Sequence, residues 1–198
     1  HSTKSDETDD IKKVFGNNVT IYEAQNVSDV HPNKPVKTIE KQSNELKLVY
    51  LGRIAENKNL LLVLKSLKTL DKGNISLDVY GSMEDINYWS ECEKLIQQLP
   101  SNIKISYKGM ISPEKIREAF SHYHFLIQLS YSENFGHSIV EALSSSLPVI
   151  ISNTTPWKDL SNEKAGWDVA ITSEKPTVEA LTKADLVTTL NTAGTYTV

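Results

Sequence analysis

From Leu46 onward, short apolar runs alternate with longer amphipathic segments, and this alternation limits the fold more than any other feature of the chain. Leu46 to Leu51 is a strand candidate closed by Gly52. Leu60, Leu61, Val63, Leu64, Leu67 and Leu70 then follow helical spacing until Lys72-Gly73. Ile75, Leu77 and Val79 alternate with Ser76, Asp78 and Tyr80, the period of a strand, and Gly81 ends it. Met83 to Leu99 reads as a helix with Pro100 beyond it, and Ile103 to Tyr107 as a third strand ending at Gly109. Ser112-Pro113-Glu114 is a capping-type opening for a helix that runs through Ser121. Phe125 to Leu129 is a continuous apolar run, as expected of the buried middle of a parallel sheet. Gly136 to Ser145 gives the next helix, Val149 to Ile151 a fifth strand and Asp168 to Ile171 a sixth.

Alternation of this kind predicts an α/β fold, a Rossmann-like doubly wound parallel sheet with helices on both faces. Such sheets take ligands at the carboxyl ends of their strands, so the residues just after each strand carry the interest. Residues 1–46 have a different texture. Ile11, Val14 and Phe15 make a short helical stripe, Val19 to Tyr22 reads as a strand, and His31 to Glu45 runs polar with Pro32 and Pro35. The expectation is a connecting segment over residues 1–46 and one ligand-binding domain over residues 47–198.

Composition narrows the partners. Apolar residues at 39% suffice for a core of ordinary size. A formal net charge of -4, with acids and bases interspersed, gives no electrostatic case for nucleic acid. Cys92 is the single cysteine, which excludes an intrachain disulfide or a multi-cysteine metal site and makes a reducing, cytoplasmic setting the default. No apolar stretch is long enough to span a bilayer, and the polar, acidic start His1 to Asp10 does not read as a secretory signal.

Two segments carry chemistry. In Ser130-Tyr131-Ser132-Glu133-Asn134-Phe135-Gly136-His137-Ser138-Ile139-Val140-Glu141, a buried strand runs into a polar loop, a glycine and a helix. Gly136 permits close approach of a backbone or ligand, and the helix start offers unpaired N–H groups to an anion. Glu133 stands before the helix and Glu141 on its second turn, so both carboxylates can face one crevice. The plainer alternative makes Glu133 a solvated loop acid and Glu141 an exposed helix residue. The other segment, Gly52-Arg53-Ile54-Ala55-Glu56-Asn57-Lys58-Asn59, places two cations around a helix start. A lysine in a first helical turn opposes the macrodipole, which favours anions there, and the arginine fork matches phosphate oxygens. Alternatively Arg53 pairs with Glu56 and Lys58 is solvated. Together, two cations, a helix N-terminus and two carboxylates suit a nucleotide diphosphate carrying a polyol. No acidic cluster suggests a divalent metal, and Arg53 and Lys58 would neutralise the leaving group in its place.

These residues resemble the C-terminal domain of a GT-B-fold glycosyltransferase of the retaining family 4 group, the glycosyl transferases group 1. The likeness runs from about Leu46 to Asp168. Glu133 and Glu141, with seven residues between them, match the family's two glutamates, and Leu147-Pro148-Val149-Ile150 follows as its signature does. Gly52-Arg53-Ile54 with Lys58-Asn59 matches its basic phosphate motif. The resemblance implies that Arg53 and Lys58 hold the donor pyrophosphate and that Glu133 contacts the donor sugar near the transfer site. It implies that Glu141 holds the ribose hydroxyls and that amides around Phe135, Gly136, His137 and Ser138 complete the cradle. Gly109-Met110 would flank the nucleobase.

Members transfer a sugar, typically a hexose, from a nucleotide-diphospho-sugar with retention, using no bound metal or other cofactor. The acceptor, expected to be a glycan or lipid-linked precursor in polysaccharide synthesis, belongs to an N-terminal domain that has no counterpart in this chain. The isolated fragment is therefore expected to be inactive, and any membrane contact to belong to the full-length protein. The chain departs from the family at Ser146, where a glycine usually follows the second-glutamate helix, and at Thr182 to Val198, which does not read as the expected terminal helix.

Two rival classes share the fold. A non-catalytic nucleotide-binding module would carry an acidic cluster or phosphate loop after the first strand, where this chain has Arg53. A sugar-nucleotide epimerase would carry a different acid/base set. Among other residues, His122 and His124 flank Tyr123 before a strand and read as structural, with no partner cluster for a metal. Trp157 and Trp167 read as packing residues, Trp157 also lying within reach of the crevice, and Cys92 as an inert thiol.

Overall fold

The computed structural model describes residues 5–22, 24, 39–42, 44–187, 189–190 and 196–197. Its main body is a six-stranded, all-parallel sheet. In chain order the strands are β2 (Glu45–Leu51), β3 (Asn74–Tyr80), β4 (Ile103–Gly109), β5 (Phe125–Gln128), β6 (Val149–Ser152) and β7 (Gly166–Val169). They lie in the order β4-β3-β2-β5-β6-β7, so the chain winds outward one way from β2 and the other way from β5. This is the α/β, Rossmann-like doubly wound arrangement expected from the alternation, with its topological switch point between β2 and β5.

Two apolar layers cover the sheet. On one face, α2 (Leu60–Lys68), α3 (Ile86–Ile96) and α6 (Lys175–Leu186) pack through Leu60, Val63, Leu64, Leu67, Trp89 and Leu181. On the other, α4 (Pro113–Phe120) and α5 (His137–Ser144) pack through Phe120, Ile139 and Ala142 onto Val49, Leu126 and Val149. Every residue of β5 and β6 is buried, as central strands between two helical layers must be.

Element boundaries moved where a specific contact overrode the pattern. The helix read over Met83 to Leu99 begins only at Ile86, because the Asp85 carboxylate accepts the N–H groups of Asn87 and Tyr88 and caps it there. Met83 instead forms a parallel bridge with Ile54. The sixth strand is Gly166–Val169 rather than Asp168 to Ile171, because Gly166 comes against the Val149 backbone, where a Cβ would lie 1.8 Å from its carbonyl oxygen. Val19 to Tyr22 forms no strand; Gly16, at φ 81°, ends helix α1 (Ser5–Phe15), and a turn follows. Thr182 to Leu186 continues α6, held by burial of Ala180, Leu181 and Ala184 on one side.

The polar stretch His31 to Glu45 also holds structure. Strand β1 (Ile39–Glu40) pairs antiparallel with β8 (Thr189–Leu190), which pairs with β9 (Tyr196–Thr197). Lys41, its side chain fully buried, donates to the Asp185 carbonyl at 2.6 Å and lies 3.4 Å from the Asp185 carboxylate. Pro32 and Pro35 lie outside the described residues.

Ser146 takes the left-handed conformation, φ 57°, just past the end of α5, so the backbone keeps the turn that a glycine ordinarily supplies there. A left-handed residue with a Cβ is strained by ~1–2 kcal/mol, partly offset because glycine loses more entropy on folding. Ser146→Gly is therefore expected to raise stability by roughly 0.5–1 kcal/mol, read as a higher urea midpoint at unchanged m.

His124 is structural, as expected. It is 2% exposed, its Nδ1 accepts the Lys47 N–H at 3.0 Å, and the His124 backbone N–H donates to the Lys47 carbonyl. Burial foremost, then the nearby Lys41 and Lys47 charges, lowers its pKa from 6.5 to about 4. The folded state therefore holds the neutral ring while the unfolded chain takes up a proton below its ordinary pKa. The stability this contributes is intact above pH ~6.5 and is lost as pH falls toward 4, roughly 3 kcal/mol at most. In His124→Asn, whose Oδ1 can accept the same N–H, urea denaturation over that range should show a correspondingly shallower acid loss.

Cys92 is buried and its thiol pushed up to about 12, chiefly by desolvation, which suits an inert residue.

Candidate functional site

Both motif segments leave the sheet at its switch point. The loop after β2 carries Arg53 and Lys58; the loop after β5 carries Glu133 and leads into α5. Because β2 and β5 are neighbours, loops 75 residues apart in sequence meet. The Tyr131 N–H donates to the Asn57 carbonyl at 2.9 Å, fixing one loop against the other. Between them and α4 opens a cavity of about 460 Å³, within the usual range for small-ligand sites.

Eight of the ten residues singled out above line this cavity: Arg53, Lys58, Glu133, Phe135, Gly136, His137, Ser138 and Glu141. Gly109 and Met110 do not. Gly109 ends β4 and Met110 follows it; β4 is the outermost strand on that side, two strands from the switch point, and Met110 is 79% exposed.

Lys58 sits differently from its reading in the sequence. Glu56–Lys58 is a short 3-10 turn, Asn59 then takes φ 53°, and α2 begins only at Leu60. Lys58 therefore does not occupy the first turn of α2. The negative group in front of it is the Glu133 carboxylate, 2.5 Å from Nζ to Oε1. The pair is nearly enclosed, with side chains 14% and 10% exposed. Three donors converge on Glu133 Oε1: Lys58 Nζ, Gln128 Nε2 at 2.7 Å and Ser130 Oγ at 2.7 Å. Gln128 also accepts the Ser138 hydroxyl from the start of α5 at 2.5 Å. This buried amide thus ties Glu133 to the helix N-terminus.

The loop itself is pinned by side chains. Ser152 and Thr154, from the end of β6 and just beyond it, donate their hydroxyls to the Ser130 carbonyl at 2.5 and 2.8 Å. Trp157 Nε1 donates to the Phe135 carbonyl at 2.7 Å, and the Phe135 ring lies 5.0 Å from His137 and 6.0 Å from Trp157. Trp157 thus both packs and shapes the crevice. Gly136 turns through φ 79° into α5, and a Cβ there would come within 2.9 Å of Ile139 Cδ1.

Arg53 is half-exposed at the cavity mouth and pairs with Glu84 at 2.8 Å rather than with Glu56. Glu141 faces the cavity from the second turn of α5; burial raises its pKa while His137 one turn earlier opposes the shift. Gln128, Ser130, Ser152 and Thr154 escaped the sequence reading as site residues. The signal for Gln128 was present: an amide inside an otherwise apolar central strand must find partners.

The pattern of motif and fold agrees with the comparison to known families. Residues 34–184 match the profile of the glycosyl transferases group 1, well over half the chain. The chain belongs to that family. Among relatives of this glycosyl transferases group 1 chain is a GDP-mannose:cellobiosyl-diphosphopolyprenol alpha-mannosyltransferase of Xanthomonas oryzae. It is 30% identical over 130 residues, covering 65% of this chain and 34% of that protein. The chain spans at most about a third of the length of the curated relatives it matches. Two solved structures share the fold. HepE of Anabaena, solved with UDP-glucose, matches at a TM-score of 0.59 and 15% identity, over 71% of this chain and 39% of its own. The C-terminal domain of a group 1 glycosyl transferase from Francisella tularensis matches at 0.58 and 19% identity, over 75% of this chain and 80% of its own. Among the described residues, no group of three or more His, Cys, Asp or Glu side chains is placed to hold a metal ion, and no helix is long and apolar enough to cross a membrane.

Proposed function

We propose that this chain is the donor-binding, C-terminal half of a retaining family 4 glycosyltransferase, with residues 1–46 as the approach to it and the acceptor domain elsewhere in the full protein. The observation that carries this reading is the enclosed Lys58–Glu133 pair, set beside the N-terminus of α5 in one cavity at the switch point. A nucleotide-diphospho-sugar fits that arrangement chemically. Lys58 has three N–H donors and spends one on Glu133, leaving two for diphosphate oxygens. Arg53 at the mouth and the first amides of α5 add positive potential, so the diphosphate is neutralised without a divalent ion. Glu133 then lies where the sugar joins the diphosphate, and Glu141 takes the ribose hydroxyls.

In the reaction, an acceptor hydroxyl oxygen bonds to the anomeric carbon as the bond to the diphosphate breaks. The electron pair departs with the nucleoside diphosphate, and the acceptor proton leaves to its oxygen. Relatives by name include an alpha-mannosyltransferase acting from GDP-mannose and a poly(glycerol-phosphate) alpha-glucosyltransferase, which supports a hexose donor and a glycan or lipid-linked acceptor.

Calorimetric titration with UDP, GDP, ADP and CMP tests the reading. One nucleoside diphosphate should bind selectively, with Lys58→Ala and Glu141→Ala each weakening it by roughly tenfold or more, as loss of a charged hydrogen bond predicts. EDTA should leave the affinity unchanged. Equal binding of all four, no binding, or indifference to both substitutions would sink it.

A further inference from the structure

The sheet's carboxyl edge carries a second cavity, of about 320 Å³, on the side of α2 and α3. It shares both loops of the first. Glu56 and Asn59 on its wall flank Lys58, and Tyr131 precedes Glu133 by two residues. We propose that this second cavity is a carbohydrate subsite, separate from the donor crevice, that holds a neutral, hydroxyl-bearing sugar unit. Sugar binding here does not depend on the donor-site reading.

Asn59 points to a ligand. The residue is only 5% exposed, yet its side chain makes no hydrogen bond among the described residues and does not cap the α2 N-terminus. It is not among the sealed, unsatisfied polar atoms either, so the amide opens onto the cavity it lines. An amide desolvated this far and left unpaired costs free energy unless something else completes it.

The rest of the wall selects the chemistry. Glu56, Asp85 and Glu91 outnumber Lys65, so an anion such as phosphate is repelled. Asp85 is already spent as the α3 cap, which leaves Glu56 and Glu91 as free acceptors and Asn59 and Lys65 as donors. Tyr88 is held rigid, its hydroxyl accepting the Leu61 N–H at 2.9 Å, while Tyr131 is 52% exposed. Aromatic rings beside alternating donors and acceptors suit a polyol with an apolar C–H face, a neutral sugar.

The test is saturation-transfer NMR on the intact chain with maltose and cellobiose, with and without UDP and GDP. A dissociation constant on the order of 1–10 mM is expected for so few contacts, unchanged by either nucleotide. Asn59→Gly keeps the positive φ while removing the amide, and Tyr131→Ala removes an exposed ring. Each should weaken the sugar about three- to tenfold, and Tyr131→Ala should alter nucleotide affinity less than about twofold. Absence of any sugar signal, its displacement by nucleotide, or its persistence at full strength in both variants would overturn the proposal. Sugar binding without nucleotide binding would sink the donor-site reading alone and leave the subsite standing.

Discussion

Glu133→Leu is expected to lower the stability of this chain by about 3–5 kcal/mol, because it strands Lys58 in an enclosed site. Lys58 is 14% exposed and no other side-chain bond holds it among the described residues. Gln128 and Ser130 would lose their acceptor at the same stroke. The reverse substitution, Lys58→Met, leaves Glu133 with both of those neutral donors, so a smaller loss of about 1–3 kcal/mol should follow. In the double variant the unpaired charge is gone, and stability should recover to within about 1–2 kcal/mol of the parent. Urea denaturation of the four proteins measures the cycle. Equal single losses, or losses that simply add, would show that the two charges do not hold each other.

The second large effect lies behind the site. Gly81 ends β3 at φ 149°, and a Cβ there would lie 1.8 Å from the Gly52 carbonyl oxygen and 2.7 Å from its carbon. Both obstacles are backbone and cannot rotate away. Gly52 also donates to the Tyr80 carbonyl, so β2 and β3 would have to part where the Arg53 loop begins. Gly81→Ala should therefore cost more than about 4 kcal/mol or abolish folding. Gly109→Ala is the control: φ is 74°, but nothing lies within 4 Å of the added Cβ. It should cost only ~1–2 kcal/mol by thermal denaturation. Similar losses at the two positions would mean that the close approach at Gly81 is readily relieved.

Much of the fold was legible because its two periods are written plainly. Leu60 through Leu67 repeats at helical spacing, Ile75 to Val79 alternates, and Phe125 to Ile127 is apolar without a break. A helix or strand that buries one face leaves that trace locally. What could not be read depends on which strands become neighbours. Arg53 finds Glu84, 31 residues away, only because β3 runs beside β2. Lys58 was expected to greet an outside anion, yet the carboxylate meeting it arrives from β5. Gly109 and Met110 follow a strand end, as the other candidates do, but strand order places that end at the sheet's edge. The second glutamate and the glycine before it needed no such knowledge, since one strand, one turn and one helix position both.

Lys41 and Asp185 stand 144 residues apart and meet in a buried contact, with β1 and β8 paired alongside. The entire six-stranded sheet is thus strung between two points that touch. For an engineer, that makes it a self-contained cassette. Its two seams can be joined by a short peptide and the chain reopened in an exposed turn away from that contact, since loop closure across adjacent ends demands little entropy. For evolution, the same closure lets such a cassette be passed between larger proteins without disturbing the crevice at its far edge.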